Sequence, residues 1–174
     1  RIVEELSKNS HQIKILHQLK KSGLGRAYLK GFKYVLSQNP AYDRIIQMDA
    51  DFSHHPKYLS DLLRATEHND LAIASRYIPG GKVVDWGIYR RILSYLANVY
   101  VHLWLGLKVK DCTSGFRCFR REVLANIGLE NIKSNGYLFQ IEILNRCLRF
   151  GYSCLEIPIE FIERKEGKTK LGFY

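Results

Sequence analysis

Apolar positions along this chain recur with two alternating periods. Three- and four-residue spacing in RIVEELSK, RAYLKGFKYVLSQ, HPKYLSDLLRATE, residues 89–105 and YLFQIEILNRCLRF predicts amphipathic helices, with Pro56 near the first turn of the third and Gly151 ending the last. Short alternating or continuous apolar runs at QIKIL, RIIQM, LAIAS and CLEIPIEFI predict strands. The segment DCTSGFRCFRREVLANI passes from a turn through a short strand into a further helix, and RYIPGGKVVDW reads as a loop. ERKEGKTKLGFY, charged and glycine-containing, reads as a mobile loop or tail. Strands alternating with helices predict an α/β fold whose parallel sheet is covered on both faces, with right-handed crossovers.

A length of 174 residues suits one domain with a well-buried core. The net charge of +10 points to an anionic partner: a nucleic acid, a lipid headgroup, a diphosphate or a phosphorylated substrate. Cys112, Cys118, Cys147 and Cys154 have no C-x-x-C spacing, so they read as reduced thiols in a cytosolic setting. YLANVYVHLWLGL is interrupted by Asn98 and His102 and is shorter than the roughly 20 residues that a spanning helix needs.

Chemistry concentrates in QMDADFSHHPKYL, at the end of the strand RIIQM. Ligands in open α/β sheets bind beyond the carboxyl ends of the strands, and in extended backbone Asp49 and Asp51 point the same way. Their paired carboxylates suit Mg²⁺ or Mn²⁺. A turn with a helix cap is the competing reading of the same D-x-D, because aspartate favours both. His54 and His55 before Pro56 read as a helix entry rather than a zinc site. The glycines of GLG, Gly23 and Gly25, read as a tight turn before a helix, since the third glycine of a dinucleotide fingerprint is absent.

Six blocks in order, MDADFSHHPKYL, ASRYIPGG, WGIYRRILS, DCTSGFRCFRREVL, GYLFQIEIL and EIPIEFIERKEGKTKLG, resemble the polyprenol-phosphate (dolichol-phosphate) mannosyltransferases, inverting family 2 glycosyltransferases with the GT-A fold. The resemblance implies a GT-A domain over residues 1–174, with a mostly parallel central sheet and helices on both faces. Family members open with a strand carrying a PTYNE-like segment and a second ending in a DDGS-like turn. Neither is found here, so the domain is expected to be incomplete at its N-terminus, with the hydrophobic tail of some members also missing.

By the same resemblance, Asp49, Asp51 and Ser53 hold the metal ion on the diphosphate of GDP-mannose; a local turn hydrogen bond is the alternative for Ser53. Arg76 ends the strand LAIAS and binds phosphate, against the alternative of a surface arginine. Arg90 and Ser94, one helical turn apart, resemble the pair that contacts the acceptor phosphate, with Arg91 the alternative register. Asp111 resembles the acidic residue of the acceptor-side turn, or else caps that turn. Arg164 and Lys170 bracket a glycine loop that closes over the phosphates; a solvated tail is the alternative. For Glu142 a buried ion pair stands beside a catalytic role. Trp86, Tyr95, Tyr100 and Trp104 fit either a membrane surface or the core.

The implied reaction is metal-dependent, inverting transfer of mannose from GDP-mannose to a polyprenyl (dolichyl) phosphate, with Asp51, Arg76 and Arg164 acting at the reacting groups. It takes place at the cytosolic face of a membrane, with a membrane-anchoring subunit as a further partner and no nucleic acid. Two alternatives remain at this level: a related synthase that uses a UDP-sugar such as UDP-glucose, and a basic module that binds membranes or nucleic acid without catalysis.

Overall fold

All five residues of LAIAS are buried, because side chains leave this strand towards two separate cores. The computed structural model describes residues 2–18, 20, 22–39 and 41–163. In it, helices α1 (Ile2–Asn9), α2 (Leu24–Leu36), α3 (Leu59–His68), α4 (Ile88–Leu105), α5 (Arg121–Asn126) and α6 (Tyr137–Arg149) are interspersed with strands β1 (Arg44–Gln47), β2 (Leu71–Ser75), β3 (Lys82–Val84), β4 (Arg117–Arg120), β5 (Cys154–Pro158) and β6 (Glu160–Ile162). From β2, Leu71 and Ile73 join Leu29 and Phe32 of α2, Leu124 of α5 and Ile143 of α6 in the larger core. Ala72 and Ala74 face the opposite way, where their small side chains leave room for Leu62 of α3 beside Phe116 and Cys118. The two-residue period of the strand thus produces helices on both faces.

Strand order in the main sheet is β1-β4-β2-β5, with β2 and β5 parallel and β4 antiparallel to both β1 and β2. Three strands therefore point one way and β4 runs against them. Because β4 is reversed, its leading turn lies at the same edge as the carboxyl ends of β1 and β2: Arg117 pairs with Gln47 on one side and Ile73 on the other.

Three expectations change. RYIPGGKVVDW is not wholly loop, since Lys82–Val84 forms β3 and pairs in parallel with β6. CLEIPIEFI is two strands rather than one: at buried Ile159 the chain leaves the main sheet, donating N–H to Ser75 O at 3.0 Å while its carbonyl accepts from Lys82 N–H at 2.9 Å. QIKIL forms no strand; Ile13 and Ile15 alternate with exposed neighbours, but no strand among the described residues pairs with them. Residues 164–174, with Arg164, Lys170 and the glycine loop, lie outside the described residues.

The cysteines are unpaired, and burial pushes the thiols of Cys112 up to about 11 and of Cys147 and Cys154 up to about 12. Gly25 fits because its missing side chain lets α2 approach the segment before α6: a Cβ there would lie 2.8 Å from Ser134 O.

Arg117 is completely buried, and its guanidinium donates at 2.8 Å each to Ser114 O, Gln140 O and Cys112 O. Burial holds its pKa below the usual arginine value. Two of these carbonyls, those of Ser114 and Cys112, belong to buried residues in the turn before β4, outside any helix that could satisfy them. Arg117→Leu is accordingly expected to lower the unfolding free energy by about 2 kcal/mol or more, at about 1–3 kcal/mol per orphaned group, measured by urea denaturation.

Candidate active site

The turn after β1 is built around its two aspartates. Asp49 accepts a hydrogen bond at Oδ1 from the Tyr28 hydroxyl at 2.7 Å, and its backbone N–H donates to His54 Nδ1 at 2.8 Å. Asp51 Oδ1 accepts from both the N–H and the hydroxyl of Ser53, at 3.1 and 2.5 Å. Between them Phe52 adopts φ 63, a left-handed conformation that costs energy for a bulky residue, and it stands 90% exposed. The buried His54 ring stacks on Phe116 at 4.9 Å. Burial lowers the His54 pKa against the opposing pull of Asp49 and Asp51, consistent with the neutral ring that an accepting Nδ1 requires. Tyr28 is shifted well above the usual phenol range by burial and then by Asp49, so it remains a donor.

Arg76 follows β2 and meets Asp111 in a buried pair. Its Nε and Nη2 donate to Asp111 Oδ2 and Oδ1 at 2.7 Å each, its backbone N–H donates to Oδ2 at 3.0 Å, and Nη2 also reaches Thr113 Oγ1 at 2.8 Å. Burial raises the Asp111 carboxyl, but Arg76 outweighs it and holds the group below the usual carboxylate range. The Asp111 turn is itself pinned: Glu156 of β5 accepts from the N–H groups of Lys110 and Asp111 at 2.9 and 3.0 Å, and Asn98 of α4 accepts from Cys112 N–H at 2.8 Å. Among the described residues Arg76 Nη1 makes no hydrogen bond. Gly81 presses on this arginine from behind, since a Cβ there would fall 2.7 Å from Ser75 O and 2.9 Å from the Arg76 carbonyl carbon.

Asp49, Asp51, Ser53, Arg76, Arg90 and Ser94 line one cleft of about 300 Å³, closed by Tyr137 and Leu138 of α6 and by Trp86 and Phe161. The Arg90 guanidinium lies 4.1 Å over the Trp86 ring and pairs with Glu163, while Ser94 accepts from the Tyr77 hydroxyl at 2.8 Å. Arg91 instead donates to Val83 O on the exposed side, so of the two arginines it is Arg90 that lines the cleft.

Asp111 does not line the cleft. Fully buried behind Arg76, it holds a residue that lines the cleft and has no surface of its own there. Ser53 makes the local turn bond to Asp51 while facing the cleft. His55 caps the turn Pro56–Tyr58 by accepting from Lys57 N–H, as a helix entry should. Glu142 accepts from the N–H groups of Lys133 and Ser134 rather than forming an ion pair. Trp86 is buried, but Tyr95, Tyr100 and Trp104 are exposed. Sequence reasoning overlooked Tyr28, Glu156 and the pinning roles of Asn98 and Arg117. A polar residue inside an apolar helix and a charge inside FRCF were the available signals.

No group of three or more His, Cys, Asp or Glu among the described residues is arranged to hold a metal. Asp49 and Asp51 offer oxygen donors on an open cleft, the donor type that hard divalent cations take and unlike the closed set of a zinc cage.

Paired acids at the end of one strand and an arginine at the end of the next place the charged groups of this α/β domain at the sheet edge where ligands of such folds bind. The chain belongs to glycosyl transferase family 2, whose model matches residues 1–128. It is similar to the undecaprenyl-phosphate mannosyltransferase of Micrococcus luteus, with 42% identity over 160 residues covering 92% of this chain and 65% of that protein. It is also similar to the polyprenol monophosphomannose synthase of Mycolicibacterium smegmatis, with 45% identity over 162 residues covering 92% and 60%. The chain thus spans less than two thirds of the length of these relatives.

The depressed Asp111 pKa makes stability depend on pH. The ionised carboxylate contributes fully above its ordinary value of 3.8, and that contribution is lost as pH falls through the lower folded-state value. Asp111→Asn, which leaves the Arg76 charge buried without its partner, is expected to cost about 3–5 kcal/mol at neutral pH and to flatten the acid limb below about pH 4 in urea unfolding.

Proposed function

We propose that this chain carries the catalytic site of a polyprenyl-phosphate mannosyltransferase that transfers mannose from GDP-mannose with inversion. The observation that carries the reading is the convergence of Asp49, Asp51, Arg76 and Arg90 on one cleft, in a chain similar to two proteins named for polyprenyl mannosylation. Asp49 and Asp51 would hold Mg²⁺ or Mn²⁺, and the ion would supply positive charge against the departing diphosphate. Arg76, kept charged by Asp111, offers its remaining edge to donor phosphate. Arg90 and Ser94 receive the acceptor phosphate, which competes with Glu163 for the guanidinium. The acceptor is already anionic, so no general base is needed: its oxygen forms a bond to mannose C1 as the bond from C1 to the GDP oxygen breaks, and GDP leaves with the electron pair. Positioning and electrostatics carry the catalysis.

The features that support a membrane partner lie on α4. Ile88, Tyr89, Ile92, Tyr95, Tyr100 and Trp104 are exposed on a helix that also supplies Arg90 and Ser94 to the cleft. No helix among the described residues is long and apolar enough to cross a membrane. An exposed aliphatic and aromatic face on a chain of net charge +10 suits a helix lying in the surface of an anionic bilayer, which brings the cleft to the level of a lipid phosphate. Four unpaired thiols agree with the cytosolic side.

In the full-length protein, Asp51→Asn is expected to lower Mn²⁺-dependent mannosyl transfer to polyprenyl phosphate by about a hundred-fold or more. Unchanged turnover refutes the role, and preferential transfer from UDP-glucose redirects the donor assignment. Replacing Tyr100 and Trp104 together with alanine is expected to release the protein from anionic vesicles in co-sedimentation. A vesicle-independent dimer that buries α4 would overturn the membrane assignment.

A further inference from the structure

Asp49 is held by a residue distant in sequence. Tyr28 belongs to α2, yet its hydroxyl lies 2.7 Å from Asp49 Oδ1 and 3.4 Å from Met48 O. Its ring is fixed on both sides, stacked on Phe32 with centroids 6.1 Å apart and on Phe139 at 6.0 Å with an interplanar angle of 4°. Phe139 belongs to α6, whose first turn puts Tyr137 and Leu138 into the cleft. The two helices are also tied at their starts, because Asn135 accepts from Gly25 N–H at 2.9 Å and donates to Ser22 O at 2.8 Å. The phenol therefore has little freedom to follow Asp49 if that carboxylate rotates. Its backbone is fixed too, through the bond from Asp49 N–H to His54 Nδ1.

We propose that Tyr28 is a positioning residue: by occupying Oδ1 it fixes the rotation of the Asp49 carboxylate and reserves Oδ2 for the divalent cation. Among the described residues Oδ2 makes no hydrogen bond. The inference rests on the metal reading of the proposed function and deepens it. Partners that orient a ligating group typically change metal affinity by about 10–100-fold when removed. Phenylalanine keeps the ring between Phe32 and Phe139 and deletes only the hydroxyl.

The test is titration of the purified protein with Mn²⁺ alone, following the free-ion signal by electron paramagnetic resonance, for the wild type, Tyr28→Phe and Asp51→Asn. The expected result is binding by the wild type, loss of binding in Asp51→Asn and about ten-fold or greater weakening in Tyr28→Phe, with its circular dichroism spectrum and melting temperature unchanged. In transfer assays the half-saturating Mn²⁺ concentration of Tyr28→Phe is expected to rise by the same factor, while kcat at saturating Mn²⁺ recovers. Wild-type affinity in Tyr28→Phe, with Asp51→Asn still defective, overturns the role of Tyr28 and leaves the metal reading standing. Failure of the wild type to bind Mn²⁺, or full binding by Asp51→Asn, overturns both. Weakening that tracks a general loss of folded protein also overturns the proposal, since a purely structural tyrosine would behave that way.

Discussion

The buried pair of Asp111 and Arg76 fixes the geometry at the working edge of the sheet. Two charges largely withdrawn from water are tolerable only with good hydrogen bonding, and here both guanidinium contacts to Asp111 are 2.7 Å long. The pair is possible because β4 runs antiparallel, which returns the turn after α4 to the edge where β1 and β2 end. Glu156, Asn98 and Arg117 then hold that turn from three different elements. Each removes a polar backbone group from the list of buried liabilities, so the rigidity of the cleft wall follows from hydrogen-bond satisfaction as much as from apolar packing.

Electrostatics and apolar surface divide the cleft between them. On one side the carboxylates of Asp49 and Asp51 are each met by a hydroxyl, from Tyr28 and Ser53. Across from them, Arg76 and Arg90 both lie over the Trp86 ring, at 5.4 and 4.1 Å, so the two cations share an aromatic support. Beyond Arg90 the surface becomes aliphatic and aromatic along α4. Charged and apolar surfaces thus follow one another in that order.

Much of this was legible in the sequence. RIIQM, LAIAS and the helical periods placed Asp49, Asp51 and Arg76 at strand ends, because strand position and side-chain alternation are local properties. What remained hidden depends on distant pairing. Lys82–Val84 is too short to announce itself and becomes a strand only because Glu160–Ile162 lies beside it. QIKIL has the alternation but no ladder partner among the described residues. Asp111 carried an acidic residue's usual signal of contact with ligand, and only its complete burial revealed that its partner is Arg76. Tyr28 offered no cue at all, since its partner is fixed by how α2 packs across the sheet.

The four closed thiols make the molecule convenient to instrument. With three cysteines buried and the fourth, Cys154, partly covered, and with burial pushing Cys112, Cys147 and Cys154 to about 11–12, the native sulfurs form little thiolate at neutral pH. A spin label or fluorophore attached to one cysteine introduced at the projecting Phe52 site would report from beside the acidic pair with little background reaction elsewhere.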